Sequence, residues 1–148
     1  LPSKDEEELR KLGVQMRFLE QTTEAIQSRI NMVNTVITDL TYANMTLGSL
    51  EKEKENAEIL VPIGGSSYVK AKLGSPDKII VGMGAGVSVE KTLAEAKDIV
   101  KKRLEDLEKT RLSLQQQFAQ VTERMAEDRE KFEGLLAKMK EENPSRDV

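Results

Sequence analysis

Few residues of this chain could do chemistry. Its 148 residues include no His and no Cys, which removes Ser-His and Cys-His nucleophile pairs, the usual zinc ligand sets and any disulfide framework. Carboxylates remain. Glu51, Glu53 and Glu55 interleave with Lys52 and Lys54, and Lys101-Lys102-Arg103 precedes Glu105-Asp106 and Glu108. Paired carboxylates serve acid–base catalysis only in a pocket that shifts their pKa values. On an exposed helix they form a solvated face. Gly82-Met83-Gly84-Ala85-Gly86 is glycine-rich, and Lys91-Thr92 imitates the end of a phosphate loop. That loop would need Gly at positions 85 and 90, where the chain has Ala85 and Glu90. A dinucleotide fingerprint fails too, because Gly84 to Val89 reads as continuing strand instead of opening a helix. The glycines read as a hairpin turn or bulge. No catalytic residue, metal site or cofactor is expected, and no enzymatic activity.

The elements that surround these residues are long helices. Ser3 and Glu6 have capping-box spacing, and Asp5 to Glu8 complement the helix dipole. From about Asp5 to Asn56 an unbroken 3-4 alternation runs Leu9, Leu12, Met16, Leu19, Thr23, Ile26, Ile30, Val33, Ile37, Leu40, Asn44, Leu47. Its length marks a coiled-coil seam rather than an ordinary amphipathic stripe. A second helix is predicted from Thr92, capped with Glu95, to about Glu142, where Asn143-Pro144 supplies the stop. Its seam reads Val100, Leu104, Leu107, Arg111, Leu114, Phe118, Val121, Met125, Asp128, Phe132, Leu135, Met139. Reversing the second series pairs Leu47 with Val100, Ile37 with Arg111, Thr23 with Met125, Leu12 with Leu135 and Leu9 with Met139. Every layer closes, so the helices are expected to lie antiparallel.

Between them the helical period breaks. Ile59-Leu60-Val61-Pro62-Ile63 is β-rich and meets Gly64-Gly65, Tyr68 to Leu73 alternates, Gly74-Ser75-Pro76-Asp77 signals a turn, and Ile79 to Val89 alternates again. Four short strands in two hairpins follow. So small a sheet is marginal alone, which argues for assembly through it. The expected organisation is α+β: 1–57 an N-terminal coiled-coil helix, 58–90 two β-hairpins for oligomerisation, 91–148 a C-terminal coiled-coil helix and short tail.

Charge and hydropathy narrow the partners. Basic and acidic residues number 7 and 10 over 1–57, 3 and 3 over 58–90, and 13 and 13 over 91–148. No segment is basic enough to favour nucleic acid. No apolar run is long enough for a membrane span, and a cytoplasmic location is expected. From Ile30 to Leu50 the only charged side chain is Asp39. Met32, Val36, Tyr42, Ala43 and Met45 lie off the seam there, so this face is expected to pack against the sheet or a neighbouring subunit, the alternative being a merely polar-neutral face. At the other end Leu9, Leu12, Val14, Met16 and Phe18 approach Phe132, Leu135, Leu136 and Met139, more apolar residues than a two-stranded seam can bury. A Met-containing apolar tip suits promiscuous binding; an ordinary fraying end is the plainer reading.

Ile59-Leu60-Val61-Pro62-Ile63-Gly64-Gly65, Tyr68-Val69-Lys70-Ala71, and Ile80-Val81-Gly82 through Gly84-Ala85-Gly86-Val87 to Val89-Glu90-Lys91-Thr92 resemble the prefoldins, specifically the archaeal α class, which carries two hairpins. The resemblance spans essentially the whole chain. It implies an ATP-independent chaperone in which two α and four β subunits (α2β4) assemble through β-barrels. Coiled coils would hold non-native client proteins at their tips for transfer to a group II chaperonin. It further implies assembly roles for Ile59, Val61, Val69, Leu73, Ile79, Val81, Val87 and Val89, and client contact for Leu9, Leu12, Val14, Met16, Phe18, Phe132, Leu135, Leu136 and Met139. The competing expectation is a structural coiled-coil adaptor that binds one folded partner.

Overall fold

The structure, a computed structural model, describes residues 1–142. Its elements in chain order are α1 (Lys4–Leu50), β1 (Glu58–Gly64), β2 (Ser67–Lys72), β3 (Ile79–Gly84), β4 (Val87–Lys91) and α2 (Leu93–Glu142). The class is α+β as expected, two long helices with two antiparallel β-hairpins between them in the chain.

Local chemistry accounts for most boundaries. The Glu6 backbone N–H donates to Ser3 Oγ at 3.2 Å, capping α1. At α2 the box closes both ways: Glu95 N–H donates to Thr92 Oγ1 at 3.1 Å, and Thr92 N–H donates to Glu95 Oε1 at 3.3 Å. The Leu93 N–H has a further acceptor in Asp77 Oδ1 at 3.3 Å. One expected boundary is wrong. α1 stops at Leu50 instead of running to Asn56. Residues 51–55 are all Glu or Lys and offer no apolar side chain to bury, and tertiary burial is what sustains a long helix. The chain turns there instead: Lys52 N–H donates to the Ser49 carbonyl and Glu53 N–H to that of Leu50. Asn56 adopts a left-handed φ of 68°. The expected stop at Asn143-Pro144 lies outside the described residues.

The chain divides into two compact units. The first comprises, among the described residues, 1–34 and 109–142. Its two helical segments run antiparallel: Lys138 pairs with Asp5 at 3.4 Å, Thr23 Oγ1 donates to Met125 Sδ at 3.3 Å, and Arg111 Nη1 donates to Asn34 Oδ1 at 3.4 Å. Ile26, Ile30 and Leu114 are its buried centre, with Val33, Phe118 and Val121 against them.

The second unit spans residues 35–108. Leu47, Ala96, Val100 and the strand residue Val81 are buried together, flanked by Leu40, Ile79, Leu93 and Leu104. Lys97 of α2 pairs with Glu51, the first residue past the end of α1. The seam expected along α1 holds with one exception: Asn44 is exposed, and Ala43 is half-buried in its place. A step of three from Leu40 reaches Ala43, and the Asn44 amide stays hydrated instead of losing its water partners.

The four strands form two separate two-stranded sheets, not one. Gly84 ends β3 and Val87 opens β4, so Ala85-Gly86 is a turn between two strands rather than part of one continuing strand. Gly84 sits at φ 100°, a conformation open in practice to glycine. The two hairpins are one design repeated 20 residues later. Ile59 faces Ala71 as Ile79 faces Lys91, Val61 faces Val69 as Val81 faces Val89, and the register shifts at Pro62/Gly64 as at Gly82/Gly84.

Candidate functional site

Two surfaces, one in each unit, collect the residues that the sequence singles out. On the hairpins, Val61, Val69, Val87 and Val89 are exposed, while Ile59, Leu73 and Ile79 are half-buried. Val81 differs: at 8% exposure it packs inside the chain against Leu47, Ala96 and Val100. It fastens β3 to the helices, assisted by Arg103, whose Nη2 donates to the Gly82 carbonyl at 2.8 Å. The equivalent residue of the first hairpin, Val61, has no such cover and is 42% exposed.

Sequence reasoning missed further apolar residues on these hairpins. Leu60, Ile63, Tyr68, Ile80 and Met83 are exposed, Ile80 at 76%. They lie beside or between the expected assembly residues. The signal was present as the 20-residue offset that sets Leu60 against Ile80 and Ile63 against Met83. Two narrow hairpins therefore carry apolar side chains far beyond what two strands can cover for themselves.

In the first unit the other surface surrounds the chain ends. Leu12 is buried in the seam. Leu9, Met16, Phe132, Leu135, Leu136 and Met139 are half-buried beside it. Gly13 lies beside the Phe132 ring: a Cβ there would stand 4.0 Å from Phe132 Cε2, at ordinary van der Waals contact. Val14 and Phe18 stay outside, Phe18 at 66% exposure, one helical turn apart and flanked by Arg10, Lys11 and Gln15. The structure thus sorts the expected tip residues into a buried or half-buried group of seven and a free pair. The charge-depleted face of α1 is not covered by the hairpins: Met32, Val36, Tyr42 and Met45 are exposed.

Polar features are sparse. The Asp128 carboxylate is buried in the first unit at 4% exposure, and among the described residues its Oδ2 has no hydrogen-bond partner. The Glu95 carboxyl is held below the usual glutamate range, first by the Thr92 hydroxyl, then by the Thr92 backbone N–H, with help from Lys91. Among the described residues no group of three or more acidic side chains could hold a metal ion, and no helix is long and apolar enough to cross a membrane.

Helix pairs that frame two hairpins with uncovered apolar strands define a coiled-coil subunit built to be completed by other chains. Comparison with known proteins agrees. The family model described as prefoldin subunit matches residues 19–138. Prefoldin subunit alpha of Methanococcoides burtonii is 35% identical over 121 residues, 82% of this chain and 88% of the relative. That of Methanosarcina acetivorans is 34% identical over 136 residues, 90% of this chain and 93% of the relative. Among solved structures, the filamentous prefoldin of Methanocaldococcus jannaschii superimposes with a TM-score of 0.65 at 27% identity, covering 75% of this chain and 92% of that one. The chain belongs to the prefoldin subunit family. It is a chaperone subunit, in a family that is not enzymatic and whose alpha subunits form hetero-oligomeric complexes.

Proposed function

We propose that this subunit captures non-native proteins on the apolar surface near its chain ends and passes them, without ATP, to a group II chaperonin. Residues 58–90 are its assembly module: two copies join four β subunits in an α2β4 hexamer, the hairpins closing into β-barrels in the cytoplasm. Residues 1–57 and 91–148 supply the coiled-coil arm. The observation that carries the reading is the pairing of two uncovered surfaces in separate units, apolar strands in one and Val14 with Phe18 in the other. Each weak tip contact gains from the others when one body holds several arms together.

Native mass spectrometry of the chain with its partner subunits tests the assembly half. Two copies with four smaller coiled-coil chains are expected; one folded partner in equal number would instead establish an adaptor. For capture, a variant carrying Val14→Ser and Phe18→Ser should assemble normally yet suppress aggregation of denatured protein poorly. Full suppression by that assembled variant would remove the tip from the mechanism.

A further inference from the structure

Asp128 stands where an apolar residue would close the seam, and it is almost wholly buried, with a carboxylate oxygen that no described residue satisfies. It lines a groove of about 510 Å³ beside the seam of the first unit, with Leu12 as an apolar wall. Four carboxylates, Glu8, Glu123, Glu127 and Asp128, share this groove with two cations, Arg124 and Lys131. The balance is acidic. Arg124 and Lys131 lie one turn to either side of Asp128 on α2, yet neither bonds it. A buried carboxylate that its own helix leaves unanswered is costly, and a donor from outside would relieve it.

We propose that this groove receives an arginine or lysine side chain of the captured segment. The cation would sit against the Asp128 carboxylate and the methylene stem along Leu12. The proposal rests on the capture reading above and names the substrate class that it favours: non-native segments in which basic residues alternate with apolar ones. A guanidinium fits best, because its planar donors can satisfy a carboxylate in pairs. Long basic side chains also lay their stems on apolar surface while keeping the charge at a polar edge. Capture then combines unspecific apolar contact at Val14 and Phe18 with a polar preference at the groove.

Binding of short fluorescent peptides by the assembled complex decides the matter. Three probes carry Leu alternating with Arg, with Gln or with Glu. At low salt the Leu–Arg peptide should bind about tenfold tighter than the Leu–Gln peptide, the scale of one charge-assisted contact. Asp128→Asn, which keeps the shape, should narrow that ratio to about twofold with helix content unchanged, because it removes the acceptor charge. Glu130→Gln, an equal change in net charge at an exposed residue outside the groove, should leave the ratio as it was. Equal narrowing by both variants would overturn the inference, since the preference would then belong to the general field of an acidic arm. The two readings fail separately. If Val14→Ser with Phe18→Ser abolishes Leu–Gln binding while Asp128→Asn retains the full arginine preference, capture stands and the groove does not. If no peptide binds the parent complex, both fall.

Discussion

Single residues decide how well the seam closes. Leu114, 2% exposed, meets Ile26 and Ile30 at the centre of the first unit. Leu114→Ala should cost about 2–5 kcal/mol, the range for truncating a buried leucine, read as a lower urea midpoint. Asp128→Leu should act oppositely: replacing an unpartnered buried carboxylate by an apolar side chain should gain about 1–3 kcal/mol. A lower midpoint would show that the carboxylate is satisfied in solution. The place of Asp128 on the seam was legible from spacing alone, since it falls between Met125 and Phe132. Its lack of a partner was not, because that depends on where Arg124 and Lys131 direct their side chains. The exchange of Asn44 for Ala43 was equally illegible. Positions 43 and 44 both satisfy a 3-4 rule between Leu40 and Leu47, and only packing chooses between them.

At the scale of elements, caps and turns were the most readable features, because their chemistry is local. Thr92→Ala removes an N-cap and should cost about 1 kcal/mol by thermal denaturation. Glu95, its carboxyl lowered by that same cap, adds a pH dependence. A lowered carboxyl contributes stability above the ordinary glutamate range and loses it as pH falls through the lowered value. The advantage of the parent over Thr92→Ala should therefore shrink on acidification. Gly84→Ala places a Cβ at φ 100° and should destabilise the second hairpin, seen as faster amide exchange in β3 and β4. The end of α1 was misread because the Glu-Lys run from 51 to 55 has good helix propensity. Propensity does not sustain a helix where nothing is buried, and Leu50 is the last residue of α1 with apolar surface to bury.

For the whole molecule, the sequence showed which surfaces want partners but not which partner meets which surface. The depletion of charge from Ile30 to Leu50 marked a face to be covered, and Met32, Val36, Tyr42 and Met45 remain open within the chain. The resemblance to the prefoldins likewise implied an assembly role for Val81. The structure places it in the intrachain core, because Leu47 and Val100 meet it there. Long-range proximity of that kind has no local signature. One expectation separates the two hairpins. Val61→Ser should weaken assembly with little change in the stability of the isolated chain, whereas Val81→Ser should lower both. Gel filtration with the partner subunits, beside thermal denaturation of the chain alone, would distinguish them. Equal effects would mean that the repeated hairpins are used alike.

The antiparallel pairing of α1 and α2 also sets an order of events in time. Glu51 and Lys97 are 46 residues apart in the chain, whereas Thr23 and Met125 are 102 apart. Contacts near the hairpins therefore close shorter loops and carry the smaller entropy of closure. Folding should start beside the hairpins and travel towards the chain ends like a zipper, each closed layer shortening the loop for the next. During synthesis the distal half of α1 must wait, unpaired, until nearly the last residues of α2 emerge. A subunit that shelters unfinished proteins thus spends its own first moments as one.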